Sequence, residues 1–290
     1  MPDGRSDGKD VGRFRPQFPI AMEQVEEWGR RNGVSRQHAA ERFVSYAVLD
    51  SIAGDDSLNE LLVLRGSGAL SMFYGLNRRA ADLDFVHSRV LRIADSEHAA
   101  LIQAVNAALS RGLRRHFRDF AEACRLLFDT IKVEVAPRYD QLSINRFRLP
   151  GSGRDILVCS LEYLLAEKLV SLVRQAFMGK PRGKDVYDIA EMCRLNKIDV
   201  TELRRAFWAR VRPYNGLHPR PPGCFDDEVK EWASRNFNAI TVLAGQPPRN
   251  FEECWACVLA LGAVLPEPER SDRPQILPPK GESHVASANS

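Results

Sequence analysis

An α+β fold followed by an all-helical region is what this sequence predicts, and three observations carry it. Alternating, strand-like stretches fall before residue 150. Beyond it, apolar residues recur at helical spacing. No internal repeat interrupts this order, and no run of about 18 apolar residues, the length that spans a bilayer as a helix, occurs. The composition, 44% hydrophobic and 27% charged, belongs to a globular chain and excludes collagen-like, low-complexity and wholly disordered readings.

Taken in order, residues 1–18 are polar and rich in Gly, Arg and Asp, and residues 266–290 are proline-rich with almost no apolar periodicity. Both read as disordered tails. Between them we expect a mixed domain over 19–155 and a helical domain over 156–265. Two helical patterns occupy about 20–56, the second opening at Ser35, a favoured N-cap residue. LLVLRG (61–66) is a short apolar run ending at glycine, and GALSMFYG (68–75) reads as a short helix. Asp82–Val86 (DLDFV) alternates as a half-buried strand does. Residues 96–112 form an amphipathic helix expected to stop at Gly112. CRLLFD and TIKVEVAP (124–137) read as adjacent strands, the second ended by Pro137. Helices are then expected at about 160–177, 182–195, 200–212, 226–244 and 251–264.

The N-terminus has no apolar core or small-residue cleavage site of a secretory signal. Six cysteines lie singly in apolar segments, as reduced core cysteines do, so the chain reads as cytoplasmic with no membrane partner. Cys254-Trp-Ala-Cys257 falls in a core-like helix without a second Cys or His pair, which favours packing over zinc. The net charge of +3 is too mild to establish a nucleic-acid partner by itself. Two local basic runs, Arg111–Arg118 and Arg204–Arg212, are equally consistent with RNA phosphate contacts and with solvated surface.

The chemistry concentrates in LRGSGALSMFYGLNRRAADLDFV. Gly66-Ser67 opens a helix, and backbone N–H groups at a helix start, with glycine permitting close approach, suit a triphosphate. Asp82 and Asp84 sit two apart on a strand, so both carboxylates share one face. Like charges so placed call for a cation, and Mg²⁺ takes one or two carboxylates together with phosphate oxygens. In TIKVEVA, Glu134 falls on the face opposite Val133 and Val135 and completes a candidate metal triad with Asp82 and Asp84. Arg78 and Arg79, beside these acids, lie within reach of a bound nucleotide or acceptor.

A second anomaly follows in the helices. Leu161, Leu164, Leu165, Leu169 and Leu172 form one stripe, and Lys168 lies near its centre, where it must snorkel, pair or serve a site. In the next helix Asp185 shares the apolar face of Ile189 and Met192, with Asp188 at its edge. A buried lysine facing a buried aspartate is either a structural ion pair or part of a site.

RGSGALSMFYGLNRRAADLDF resembles the first motif of the nucleotidyltransferase superfamily, Gly-Gly/Ser followed by Asp-x-Asp. More closely it resembles the AbiEii/AbiGii (MenT-like) toxins of type IV toxin–antitoxin systems, and the likeness runs through Glu134, Glu167-Lys168 and Lys184-Asp185-x-x-Asp188. Two positions depart from it: many relatives have Gly-Gly where this chain has Gly66-Ser67, and serine where it has Ala80. The resemblance implies a nucleotidyltransferase-fold mixed sheet with a helical domain behind it and a site in the cleft between. It implies transfer of a nucleoside monophosphate from an NTP to the 3′ end of tRNA, blocking aminoacylation, with Mg²⁺, or Mn²⁺ in its place, as cofactor and an antitoxin encoded nearby. Asp82, Asp84, Glu134, Lys168 and Asp185 are then the catalytic candidates. Gly66, Ser67, Arg78, Lys168 and Asp188 are the nucleotide-binding candidates. The rivals are a same-fold enzyme acting on a small molecule and a non-catalytic nucleotide-binding module.

Overall fold

A computed structural model describes residues 18–80, 82–88, 95–117, 132–136, 142–176, 178–211, 224–240, 242 and 249–265. The expected tail over 266–290 and the CRLLFD strand lie outside the described residues. So do Arg118, Arg212 and Pro137. Phe18, at the end of the other expected tail, is buried and stacks on Tyr46 with ring centroids 5.3 Å apart.

The first helices, α1 (Val25–Arg31) and α2 (Arg36–Ala53), match the two early patterns. Ser35 caps α2 by accepting from the His38 N–H at 3.2 Å. From Glu41 to Ala53 every residue of α2 is buried, which places this helix inside the core. After α3 (Asp56–Leu61) come β1 (Leu62–Arg65), α4 (Gly66–Phe73), β2 (Asp82–His87) and α5 (Asp95–His116). The sheet is completed by β3 (Lys132–Ala136), β4 (Ile144–Arg148) and β5 (Asp155–Cys159). The helices α6 (Leu161–Arg174), α7 (Gly183–Leu195), α8 (Val200–Val211), α9 (Asp227–Ser234) and α10 (Phe251–Ala263) follow.

The five strands run in the order β3-β2-β1-β5-β4, with β1–β5 and β2–β3 parallel and β1–β2 and β4–β5 antiparallel. This is the mixed sheet of an α+β fold with helices behind it. The sheet extends past residue 150: β5 lies across the boundary expected at 155/156 and lies between β1 and β4. Its register puts Val158 and Ile156 into the core. The buried apolar side chains form one contiguous cluster running from the sheet through α6, α7 and α10.

Two expected helix ends are corrected, the first being that of 226–244, where α9 stops at Ser234 and Phe237–Ala239 forms a separate 3-10 turn. The amphipathic helix does not stop at Gly112 but continues as α5 to His116. Gly112 is there for packing, since a Cβ at that position would come within 2.7 Å of the Ser51 Cα on α2. The basic residues Arg111, Arg114, Arg115 and His116 therefore lie on the helix rather than after it. No described helix is long and apolar enough to cross a membrane.

Candidate active site

The site begins where β1 ends. Arg65, its last residue, lies directly opposite Asp84 of β2 in the antiparallel register. Gly66 then turns the chain with φ +70°, a conformation that disfavours any side chain. A Cβ there would also run into the Asp84 carboxylate, and one at Gly68 would come within 2.7 Å of the Asp82 carbonyl oxygen. The two glycines let the start of α4 lie flat on the strand that carries both acids. The first N–H groups of α4 lack intrahelical partners and no side chain caps them, so this helix end presents donors and partial positive charge.

The alternation of β2 holds as read. Leu83 and Phe85 are buried, while Asp82 is exposed and Asp84 is half-buried on the other face. Burial pushes the Asp84 carboxyl above its ordinary range. Arg65 opposes this, and the charges of Asp82, Glu134 and Glu167 add to it.

Strand β3 runs parallel to β2 with Asp84 beside Glu134 and Asp82 beside Lys132. Glu134 thus neighbours Asp84 on the acid face, but its carboxylate pairs with Lys132 on its own strand and is half exposed. Among the described residues no three His, Cys, Asp or Glu side chains converge closely enough to hold a metal. Asp82 and Asp84 do suit an ion whose remaining ligands are phosphate oxygens, because carboxylate repulsion and burial already disfavour a bare pair.

A cavity of about 780 Å³ opens in front of the acids. Ser67, Arg79, Asp82 and Asp84 form one wall. Lys180, Arg182, Lys184 and Asp185, from the approach to α7 and its first turn, form the other. Ala239 and Ile240 close one side. The start of α7 is fixed by Asn236, whose Oδ1 accepts from the Gly183 N–H at 2.7 Å and whose Nδ2 donates to Pro181 O at 3.0 Å.

Behind this wall lies a buried ion network. Lys168 Nζ is 2.8 Å from Asp185 Oδ1 and 2.6 Å from Asp188 Oδ2. Asp188 is also held by Arg78, through Nε and through Nη2 at 2.6 Å. Arg78 Nη2 further donates to Ser67 Oγ at 2.7 Å, and Nη1 donates to Arg79 O at 3.0 Å. Burial pushes the Asp188 carboxyl up, but the charges of Arg78 and Lys168 outweigh it and leave the group below its usual value. Burial pushes Lys168 down, and Asp185 and Asp188 more than reverse this.

The structure thus brings Ser67, Arg78, Asp82, Asp84 and Asp185 to one cavity, with Gly66 packed against Asp84 beside it. Lys168 and Asp188 stand one layer back, with Asp185 between Lys168 and the opening. Glu134 is beside the acids but outside the lining. Glu41, Arg65 and Lys180 of this region were not singled out by sequence, and the pairings of Glu167 and Arg210 were not foreseen. Glu41, buried on α2, holds Arg79 at 2.9 and 2.5 Å. Arg65 pairs with Glu167 at 3.2 Å, and Glu167 is 3.6 Å from Arg210. Lys180, in the approach to α7, lines the cavity. The signal for Glu41 was a carboxylate just ahead of the largely apolar stretch Phe43–Leu49. The other pairs carry no local mark.

The family model for "Nucleotidyl transferase AbiEii toxin, Type IV TA system" matches residues 47–254. That span takes in both acids, the glycine turn and the ion network. Among solved structures the chain is similar to MenT4, a nucleotidyltransferase toxin from Mycobacterium tuberculosis, at 16% identity and a TM-score of 0.48, covering 85% of this chain and 90% of that one. No match is found among curated proteins.

Proposed function

Since the chain belongs to the AbiEii family of nucleotidyltransferase toxins of type IV toxin–antitoxin systems, we propose that it transfers a nucleoside monophosphate from an NTP to the 3′ end of tRNA, which blocks aminoacylation and so translation. Membership supports a transferase and implies an antitoxin partner. The observation that carries the reading is the seating of Asp82 and Asp84 on one face of β2, at the cavity and against the start of α4.

In this reading Gly66 and Ser67 hold the triphosphate by the donors of α4. Asp82 and Asp84 would hold Mg²⁺, or Mn²⁺ in its place, and Glu134, beside Asp84 on β3, is the third carboxylate that would hold it. A divalent ion bound there would acidify the acceptor hydroxyl and offset phosphate charge. The acceptor oxygen bonds to the α-phosphorus as the bond to pyrophosphate breaks. The hydroxyl proton passes to a Glu134 carboxylate oxygen, and pyrophosphate leaves with the electron pair. Lys168, held behind Asp185 at 2.8 Å, would offset the charge of the leaving group once Asp185 turns aside.

The small-molecule acceptor keeps one observation in its favour. The basic residues expected to track RNA are in part already engaged: Arg111 with Asp55 at 2.8 Å, His116 with Asp50 at 2.9 Å, and Arg204 with Val264 O at 3.1 Å. The experiment is incubation with labelled NTPs and total tRNA. Label on RNA is expected from the unaltered chain and is abolished by EDTA, by Asp82→Ala and by Asp84→Ala. Activity that survives EDTA or either substitution overturns the metal-pair reading.

A further inference from the structure

The Ser67 hydroxyl has one hydrogen and two lone pairs, and the Arg78 guanidinium only donates. The contact at 2.7 Å between Arg78 Nη2 and Ser67 Oγ therefore fills a lone pair of the serine and leaves its proton to point elsewhere. No acceptor among the described residues takes that proton, and Ser67 lines the cavity at the start of α4. Arg78 also borders the cavity, but its guanidinium is held in place. It is 6% exposed, and all three of its nitrogens donate, to Asp188, to Arg79 O and to Ser67. Asp188 is in turn fully buried, and its Oδ2 accepts from Lys168 at 2.6 Å as well as from Arg78.

We propose that Arg78 is a positioning residue rather than a phosphate ligand: it holds Ser67 as an obligatory hydrogen-bond donor to a phosphate oxygen of the bound nucleotide, and Asp188 and Lys168 hold Arg78. The inference rests on the nucleotide-binding reading above and adds to it a chain of four side chains, Lys168–Asp188–Arg78–Ser67, that links α6 and α7 to the start of α4.

The test measures binding of non-hydrolysable α,β-methylene analogues of the four NTPs to the full chain by calorimetry, taking the tightest as probe and its parent nucleoside as control. Ser67→Ala should weaken the triphosphate roughly 10- to 100-fold, the loss expected for a hydrogen bond to a charged group, and leave the nucleoside unchanged. Arg78→Met should weaken the triphosphate to a similar degree. The double variant should bind no more weakly than the poorer single one, because both remove the same contact. Arg78→Lys keeps the charge but not the fork, so it should resemble Arg78→Met; it also serves as the second variant should methionine at this buried site prevent folding. Losses that multiply in the double variant place Arg78 on the phosphate directly and overturn the proposal. Tight triphosphate binding by Ser67→Ala also overturns it while leaving the nucleotide reading intact. An unaltered chain that binds none of the analogues overturns both.

Discussion

Lys168 shows how a single residue changes meaning between sequence and structure. Its place on a leucine stripe is legible from spacing alone, and so is its mismatch with that stripe. Asp185 is legible as a partner, because both anomalies sit on apolar faces of consecutive helices. The engagement of Asp188 by Arg78 is not legible, because 110 residues separate them and an arginine beside two aspartates reads first as a ligand. The consequence is energetic. Two aspartates depend on two cations here, so Lys168→Met leaves buried negative charge that Arg78 alone cannot balance. We expect a loss of about 3 kcal/mol in urea unfolding, partly recovered when Asp185→Asn is added. Unchanged stability in Lys168→Met would show that the network is not held by that lysine. By contrast Asp82, exposed on its strand, carries no comparable structural load.

At the scale of elements, the parts with strong periodicity were legible: α2, α5, α6, α7 and the alternating β2. Strands β4 and β5 were not. In β4, INRFR has four of its five residues exposed, so its pattern carries almost no apolar alternation. In β5, DILVC is a short apolar run that merges into the leucine-rich start of α6. The end of α5 was misread because glycine serves two purposes, termination and close approach. The packing explanation is testable. In an open helix Gly112→Ala would stabilise by up to about 1 kcal/mol. Against Ser51 it should destabilise by about 1–3 kcal/mol, read as a lower urea midpoint, and a raised midpoint would remove the account.

The same helix pair holds a pH-sensitive tie. Asp50 of α2 accepts from His116 at 2.9 Å and from Arg154 at 2.9 and 3.0 Å. Burial pushes its carboxyl up, but the hydrogen bonds from His116, Ser152 and Arg154 and the charge of Arg154 hold it well below the usual carboxylate range. A depressed folded-state value means stability that is present above the unfolded-chain value of about 3.9. That stability is lost as pH falls through it toward the folded value. Asp50→Asn should therefore be less stable at neutral pH and show a flatter loss of stability below about pH 4. An acid limb as steep as that of the unaltered chain would contradict this.

For the whole molecule, the arrangement of charge sets where a polyanionic acceptor would meet the surface. Arg205 pairs with Glu202, Arg210 with Glu167 and Tyr163, and Arg111 with Asp55, so each of these side chains already has a partner, and Arg210 is largely buried with its own. Lys180 and Lys184, exposed at the cavity, are better placed to meet a polyanion as it approaches the acids. Replacing both with alanine should raise the apparent KM for tRNA several-fold and reduce its salt dependence by about two phosphates' worth of slope. Arg111→Ala should leave both nearly unchanged. The reverse ranking would return the RNA path to the end of α5.

The central claim, transfer to a tRNA 3′ end, is tested most directly by the site of labelling. tRNA is incubated with the chain and the best α-labelled NTP, alongside the same tRNA whose terminal ribose has been oxidised by periodate. The account predicts label on the 3′-terminal nucleotide of intact tRNA, none on oxidised tRNA, and none with Asp84→Ala. Label that persists on oxidised tRNA, or that appears on a small molecule and never on RNA, would contradict it.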